Sequence, residues 1–210
     1  MSDQIAALID ANPLILPEDK EKCKNYFLQR PPELDKWFFS TPDKDFLRQG
    51  DIISNCTFLS VMKNEKGEDY IDVIEDKPGI LLNSTCDMSE EQSRGENLLI
   101  APILGFDYFL NDPPKAVPSF EKWAEFLGRA RASRTSDFLF LPPTNGIDES
   151  LVPLYRTTAI NLEAVYEKIK SGEMELLASV TRIGWYFFIT KLSDYFVRFE
   201  DQEEVGRAQE

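Results

Sequence analysis

The sequence predicts an α+β protein in which a small β-barrel is framed by helices on both sides. Short β-rich runs separated by polar turns fill residues 49–112, a pattern more typical of a small barrel than of a parallel sheet. Apolar residues at helical spacing occur before and after this stretch. Hydrophobic residues make up 42% of the 210 residues, enough to form a core. We therefore divide the chain into an N-terminal helical arm (1–48), a barrel core (49–112), an α/β C-terminal region (113–200) and an acidic tail (201–210).

The N-terminal arm contains two predicted helices. The first is short and is interrupted by Pro13. The second runs from Glu18 to Leu28 and ends before Pro31. The aromatic residues at 37–39 are expected to anchor the arm to the rest of the protein.

The barrel segment contains predicted strands separated by polar turns. The stretch from Asn64 to Asp69 is a polar turn, and the stretch from Asp76 to Gly79 is expected to be another. Strands are predicted at Asp51–Phe58, Tyr70–Ile74, Gly79–Asn83 and Asn97–Leu104.

The C-terminal region mixes helices with short strands. Ser119 is a good N-cap for a helix over Phe120–Ala132, and Asn161 can cap a helix that continues through Ile169. A long helix is predicted from Thr181 to Phe199. Short strands are predicted at Ser136–Leu141, Tyr155–Asn161 and Leu176–Val180.

The long final helix has more apolar surface than one side can bury. Phe188 and Leu192 lie on its main apolar stripe and are expected to belong to the core. Tyr186, Phe187 and Val197 lie off that stripe. Either the helix is sandwiched inside the fold, or these three residues form an interface with another subunit or a second copy. The sequence favours the interface.

The net charge of the chain and the lack of long apolar runs indicate its compartment and the class of its partner. The chain has 37 acidic and 23 basic residues and a formal net charge of −14. Such a field opposes binding to phosphate backbones, so no nucleic-acid site is predicted. No apolar run is long enough to span a membrane, and the first ten residues do not resemble a secretory signal. We expect a cytoplasmic protein.

Histidine is absent, and cysteine is scarce. Without histidine there is no Ser-His-Asp triad, no Cys-His pair and no histidine-containing zinc site. The best local candidate for catalysis is the pair Cys86 and Asp87, a thiol beside a carboxylate after a buried strand. A neighbouring carboxylate raises the pKa of a thiol, however, which favours packing of Cys86 over a nucleophilic role. Reduced thiols fit a cytosolic protein.

Three groups of charged residues are considered as sites and are assigned structural roles. The arginines at 129, 131 and 134 could bind a phosphate, but cations at a helix end commonly complement its dipole. Carboxylates at 72, 75 and 76, or the pair Glu163 and Glu167, could be drawn as a magnesium site, but neither set belongs to a recognisable motif. We expect no metal and no cofactor.

Three segments together resemble the PemK/MazF toxin family of SH3-like β-barrels: Gln49–Ile53, Lys77–Asn83 and Glu96–Ile103. In that family a Gly-Asp-Ile sequence opens the first strand, and an Arg-Pro pair precedes a hydrophobic strand. The resemblance covers residues 49–104 and implies an SH3-like barrel that cleaves single-stranded RNA. Here Lys77 replaces the arginine, and the preceding loop is acidic, which opposes cleavage because the scissile phosphate needs positive charge nearby.

A second resemblance concerns the setting of the protein. The segments Thr85–Asp87, Glu149–Val152 and Tyr155–Thr158 are similar to uncharacterised bacterial proteins found at mobile-element and phage-defence loci. The sequence thus favours a non-catalytic protein-interaction subunit of a bacterial multi-protein system, and the resemblance suggests one of antiviral defence. The alternative is a divergent endoribonuclease toxin of the PemK/MazF type.

Overall fold

Two antiparallel sheets and the helices around them form the computed structural model of this protein. It describes residues 2–29, 36, 38–43, 46–63, 66–85, 88, 96–111, 119–144 and 146–197. The predicted α+β class is confirmed. Within these ranges no helix has the length and apolar character needed to cross a membrane.

The elements follow one another along the chain as helices, a long β-hairpin and then shorter strands between helices. The helices are α1 (Ser2–Ala11), α2 (Pro17–Gln29), α3 (Phe106–Asn111), α4 (Phe120–Arg131), α5 (Leu162–Ser171) and α6 (Arg182–Val197). The strands are β1 (Phe39–Ser40), β2 (Ile52–Lys63), β3 (Asp69–Leu81), β4 (Asn97–Pro102), β5 (Leu104–Gly105), β6 (Phe138–Leu141), β7 (Ser150–Pro153), β8 (Thr158–Asn161) and β9 (Leu176–Val180). A 3₁₀ turn at Leu154–Arg156 connects β7 to β8.

The larger sheet has six strands in the order β1-β9-β2-β3-β4-β8, and the smaller has the order β5-β7-β6. Strands β2 and β8 are not neighbours in this order, but Leu59 of β2 contacts Thr158 of β8. The backbone N–H of Leu59 donates to Thr158 Oγ1 at 3.2 Å, and that hydroxyl lies 3.4 Å from the Leu59 carbonyl. Strand pairing among the described residues closes no barrel, so the SH3-like barrel stays a prediction.

The centre of the larger sheet is buried on both faces. Successive side chains of a strand point to opposite faces, and here both are apolar. Ile52 and Ile80 belong to one hydrophobic cluster, which includes much of α6, while Ile53 and Leu81 belong to the other, which includes residues of α4 and α5. Both clusters combine residues from the predicted barrel segment with residues after 113.

Local signals position the two mid-chain helices as predicted. Ser119 accepts a hydrogen bond from the Lys122 N–H at 3.3 Å at the start of α4. Asn161 does the same for the Ala164 N–H at 3.0 Å at the start of α5. Such caps satisfy backbone donors that the helix leaves unpaired. Gly172 ends α5 in the left-handed conformation that glycine adopts without strain.

The hairpin of β2 and β3 is longer than the sequence predicted. The predicted turn from Asp76 to Gly79 is wrong, because β3 continues through it to Leu81. The chain accommodates this by bulges rather than by a turn. Pairing shifts register on both sides of Cys56, and Asn55 and Asp76 take positive φ angles of 54° and 52°. Bulges bend and twist a hairpin without ending it.

Candidate functional site

The predicted thiol and carboxylate pair, Cys86 and Asp87, lies outside the described residues. Their neighbours are held in place. The Thr85 hydroxyl accepts a hydrogen bond from the Gln49 N–H at 3.1 Å. Met88 is buried, and its carbonyl accepts one from the Tyr166 hydroxyl at 3.0 Å. The role of the pair stays a prediction.

Two of the three predicted interface residues of α6, Tyr186 and Phe187, are part of the core. Tyr186 and Phe187 are 3% and 2% exposed, so they offer no surface to another chain, and the prediction that they form an interface is corrected. Leu16 donates its N–H to the Tyr186 hydroxyl, and the Phe187 ring packs edge-on against Phe38 at 5.6 Å. The helix is thus sandwiched, because the N-terminal arm covers the side that the sheets leave open. The side chain of Val197 lies outside the described part of the chain.

The two residues of α6 that the sequence assigned to the core are buried there. Phe188 is fully buried, and Leu192 is 8% exposed. Because α6 is covered on two sides, both of those sides carry apolar residues rather than polar ones.

The remaining two cysteines are buried and lack nucleophilic character. Burial raises the pKa of the Cys56 thiol to about 12, although a hydrogen bond from the Gly79 backbone acts in the opposite direction. Burial, together with the nearby Asp19 carboxylate, raises the pKa of Cys23 to about 11. The thiolate is the nucleophilic form, so both groups are inert near neutral pH.

Asp51 is a buried carboxylate with a structural task. It follows Gly50 at the entrance to β2. Its Oδ1 accepts a hydrogen bond from the Ser179 hydroxyl at 2.6 Å, and its Oδ2 accepts one from the Arg48 N–H at 2.7 Å. Burial raises the pKa of this carboxyl to about 6, against the two hydrogen bonds, which lower it. The carboxylate joins the turn before β2 to β9.

Lys191 is a buried cation that links α6 to the end of α4. Its Nζ donates to the Thr135 carbonyl at 2.8 Å, to the Ser133 carbonyl at 3.4 Å and to Asp194 Oδ2 at 3.2 Å. Burial lowers its pKa, although the Asp194 carboxylate acts in the opposite direction. These bonds hold the chain that leaves α4 against α6, which is a structural role.

Two arginines of the basic cluster at the end of α4, Arg129 and Arg131, contact other side chains of this chain. Arg131 forms an ion pair with Glu149, with Arg131 Nη2 2.6 Å from Glu149 Oε2. The guanidinium of Arg129 lies over the Phe126 ring, 5.7 Å from its centre. The Arg129 contact lies within α4, whereas Arg131 reaches Glu149, 18 residues along the chain.

The acidic residues of β3 separate into two kinds. Asp72 forms an ion pair with Arg156 at 3.0 Å, whereas Glu75 and Asp76 form none with a described residue. In the part of the chain that is described, no three side chains of histidine, cysteine, aspartate or glutamate are grouped so that they could hold a metal ion.

A cavity of about 280 Å³ lies between α5, the start of β9 and the segment before β2. Small-molecule sites combine apolar walls with a few convergent polar groups. This cavity is lined mostly by apolar side chains, with Glu175 and Tyr166 as its ionisable groups, and the Tyr166 hydroxyl is already bonded to the Met88 carbonyl. The cavity is therefore a weak candidate for a small-molecule site.

The β2–β3 hairpin has an apolar face in solvent. Leu59 lies opposite Val73, and Val61 lies opposite Ile71. Side chains at alternate positions share a face, so these four form one continuous patch, which we call the outer face. The exposed fraction is 54% for Leu59 and 47% for Val73, and it is 74% for Val61 and 66% for Ile71.

The opposite side of the hairpin is anchored to the rest of the molecule. Near its base, Phe58 and Ile74 lie opposite each other and are buried. Further out, the Arg156 guanidinium bonds both Asp72 Oδ2 at 3.0 Å and the Tyr108 hydroxyl at 3.1 Å. The hairpin is therefore tied down by its inner side while it presents the outer face to solvent.

The sequence predicted this hairpin but not its outer face. The polar turn at 64–69 between two β-rich runs was the right signal for the hairpin. Both faces of the two strands carry apolar residues, as in the adjacent Phe58 and Leu59. The alternation therefore does not show which face is covered, and only the packing of Arg156 and of the sheet decides it.

Comparison with known proteins gives no match to a family model, to a curated protein or to a solved structure.

Proposed function

We propose that this chain is a non-catalytic interaction subunit of a cytosolic bacterial multi-protein system, and that it binds a partner protein through the outer face of the β2–β3 hairpin. The observation that carries the proposal is the continuous apolar patch formed by Leu59, Val61, Ile71 and Val73. A role in antiviral defence is part of the proposal and is tested by the identity of the partner.

Exposed apolar area has a free-energy cost that a partner can remove. Covering apolar surface contributes about 25 cal/mol per Å². Single exposed apolar residues are common on proteins, but contiguous patches mark interaction sites. In the outer face two cross-strand pairs lie next to each other on one β-hairpin, so a partner can cover all four side chains without ordering a loop.

Three buried ionisable groups of the described chain, Asp51, Lys191 and Cys56, have structural roles. The Asp51 carboxyl and the Lys191 ammonium group are buried, and both form hydrogen bonds that join one element to another. The Cys56 thiol is buried, and burial raises its pKa to about 12. These groups support the fold, and the surface best suited to an external contact is the outer face.

The test is the double change Val61→Ser with Ile71→Ser. The tagged protein is purified from its native cells, the partner is identified by mass spectrometry, and binding is then measured between the two purified proteins. We expect the double variant to weaken binding by at least about tenfold, since two central apolar contacts are lost. Its melting temperature should stay close to that of the unchanged protein, because both side chains are in solvent.

A matched control is Leu14→Ser with Leu16→Ser, which removes two exposed leucines from the N-terminal arm. This variant should bind the partner with unchanged affinity. A partner that binds the Val61→Ser/Ile71→Ser variant as tightly as the unchanged chain would show that the outer face is not the binding surface.

A further inference from the structure

We infer that the occupant of the outer face is a short cationic segment of another protein, in which apolar residues lie beside lysine or arginine. The inference rests on the proposed function and deepens it by giving the chemistry of the partner. It follows from the charges around the patch, from its size and from the charge of the whole chain.

Charge surrounds the patch on the same face of the hairpin. On β3 the residues at alternate positions are Asp69, Ile71, Val73 and Glu75, so the apolar pair lies between two carboxylates. Asp69 is paired with Lys63 across the hairpin at 3.0 Å. Glu75 and its neighbour Asp76 are exposed and form no ion pair with any residue that the structure describes.

The hairpin as a whole is negative. The sequence from Thr57 to Lys77 contains six acidic residues and three lysines. A segment that buries its apolar side chains on the outer face brings its neighbouring residues close to Glu75, and Asp76 adds a second exposed carboxylate next to it in sequence. Lysine or arginine there gains attraction, and aspartate or glutamate meets repulsion, so the site selects by charge.

A second copy of this chain does not fit the same requirement. Each copy has a formal net charge of −14, so two outer faces in contact would bring like charges together. The patch is also small. A stable interface between globular proteins buries about 800 Å² on each partner, which is far more than four side chains provide. A short segment needs less area than a globular surface does.

The test uses the full-length protein labelled with ¹⁵N and two capped peptides, one of alternating lysine and isoleucine and one of alternating glutamate and isoleucine. Amide shifts are followed at low salt and at about 0.15 M salt. We expect the lysine peptide to shift amides of β2 and β3 around the outer face, and to bind more weakly as salt is added. The glutamate peptide should leave these amides unchanged.

Two pairs of variants separate the apolar contribution from the charge. Val61→Ser/Ile71→Ser should weaken binding of the lysine peptide by about tenfold or more. Glu75→Gln/Asp76→Asn should weaken it by about fivefold at low salt. The matched control Glu163→Gln/Glu167→Gln removes two exposed carboxylates from α5 and should leave the hairpin shifts and the affinity unchanged.

The inference is overturned if the glutamate peptide binds equally well, if the Glu75 and Asp76 changes have no effect, or if neither peptide binds. It is also overturned if light scattering shows a dimer that the Val61→Ser/Ile71→Ser variant loses. The proposed function survives each of these peptide results if the native partner still requires Val61 and Ile71 for binding. If the native partner binds that variant normally, the proposed function fails together with the inference.

Discussion

Asp51 shows how one buried residue connects three parts of the chain through its carboxylate and its backbone carbonyl. It ends the turn that begins at Arg48, it receives the Ser179 hydroxyl from β9, and its own carbonyl accepts the Leu81 N–H from β3. The Gly50-Asp51-Ile52 sequence that carried part of the family resemblance thus has a structural use here. Gly50 has a positive φ of 85° and lies against Val180, so a side chain at that position would meet both strain and a clash.

The raised pKa of Asp51 predicts a contribution to stability that depends on pH. Its folded pKa is about 6, above the ordinary 3.8, so between these values the folded state binds more protons than the unfolded state. This contribution is therefore largest below about pH 4 and is lost as pH rises through about 6, with an upper limit of about 3 kcal/mol for a difference of roughly 2 pKa units. Asp51→Asn removes it, so the stability of the variant relative to the unchanged chain should increase from pH 4 to pH 7. Urea unfolding across this range measures the difference.

Ser179→Ala provides the opposite control. The Ser179 hydroxyl stabilises the ionised carboxylate, so its loss should reduce stability more at pH 7 than at pH 4. If both variants show the same pH dependence as the unchanged chain, Asp51 does not titrate in this range.

At the scale of elements, the position of α6 depends on a glycine in its first turn. A Cβ at Gly184 would meet the backbone carbonyl of Phe38, which is not a flexible group that can move aside. The helix can approach β1 closely only because this side chain is missing. At Gly128 in α4, by contrast, a Cβ would meet nothing within 4 Å.

These two glycines make a matched pair of helix substitutions. Gly184→Ala should lower the free energy of unfolding by roughly 1–3 kcal/mol, as overpacking does, even though alanine favours helix. Gly128→Ala should raise it by up to about 1 kcal/mol. Thermal or urea unfolding of the two variants measures both signs. Equal and favourable effects at both positions would contradict the close contact between α6 and β1.

Sequence patterns predicted the elements whose signals are local. Ser119 and Asn161 cap α4 and α5 through hydrogen bonds to residues three positions away, so the sequence alone was sufficient there. The predicted break in β3 failed because Asp76 forms a bulge, and bulges depend on the partner strand. The short strand β7 is absent from the predicted strands, since Ser150–Pro153 becomes a strand only by pairing with β5 and β6.

The candidate site was less predictable than the fold. An apolar side chain on α6 and one on the outer face look alike in sequence, yet Phe187 is 2% exposed and Val61 is 74% exposed. The difference arises from which elements lie opposite, and those elements are distant in sequence. The burial of Phe187 requires Phe38 from the N-terminal arm, whereas nothing in the described chain covers Val61.

At the scale of the whole molecule, the larger sheet lies between the two hydrophobic clusters. Its central strands contribute to both clusters, so α6 on one side and α4 and α5 on the other depend on the same strands. The outer part of the β2–β3 hairpin extends beyond the part of the sheet that contributes to these clusters. Changes to the outer face can therefore alter binding without altering either cluster, which is why its variants are expected to fold normally.

The net charge of −14 leads to a prediction about nucleic acids. Affinity for phosphate backbones comes mainly from lysine and arginine, and the described arginines at 131, 156 and 182 are paired with carboxylates of this chain. The purified protein should therefore bind neither single-stranded RNA nor duplex DNA with micromolar affinity near about 0.15 M salt. Fluorescence anisotropy with labelled oligonucleotides measures this directly. Micromolar binding of RNA that weakens steeply with added salt would contradict the prediction and would favour the endoribonuclease alternative over an interaction subunit.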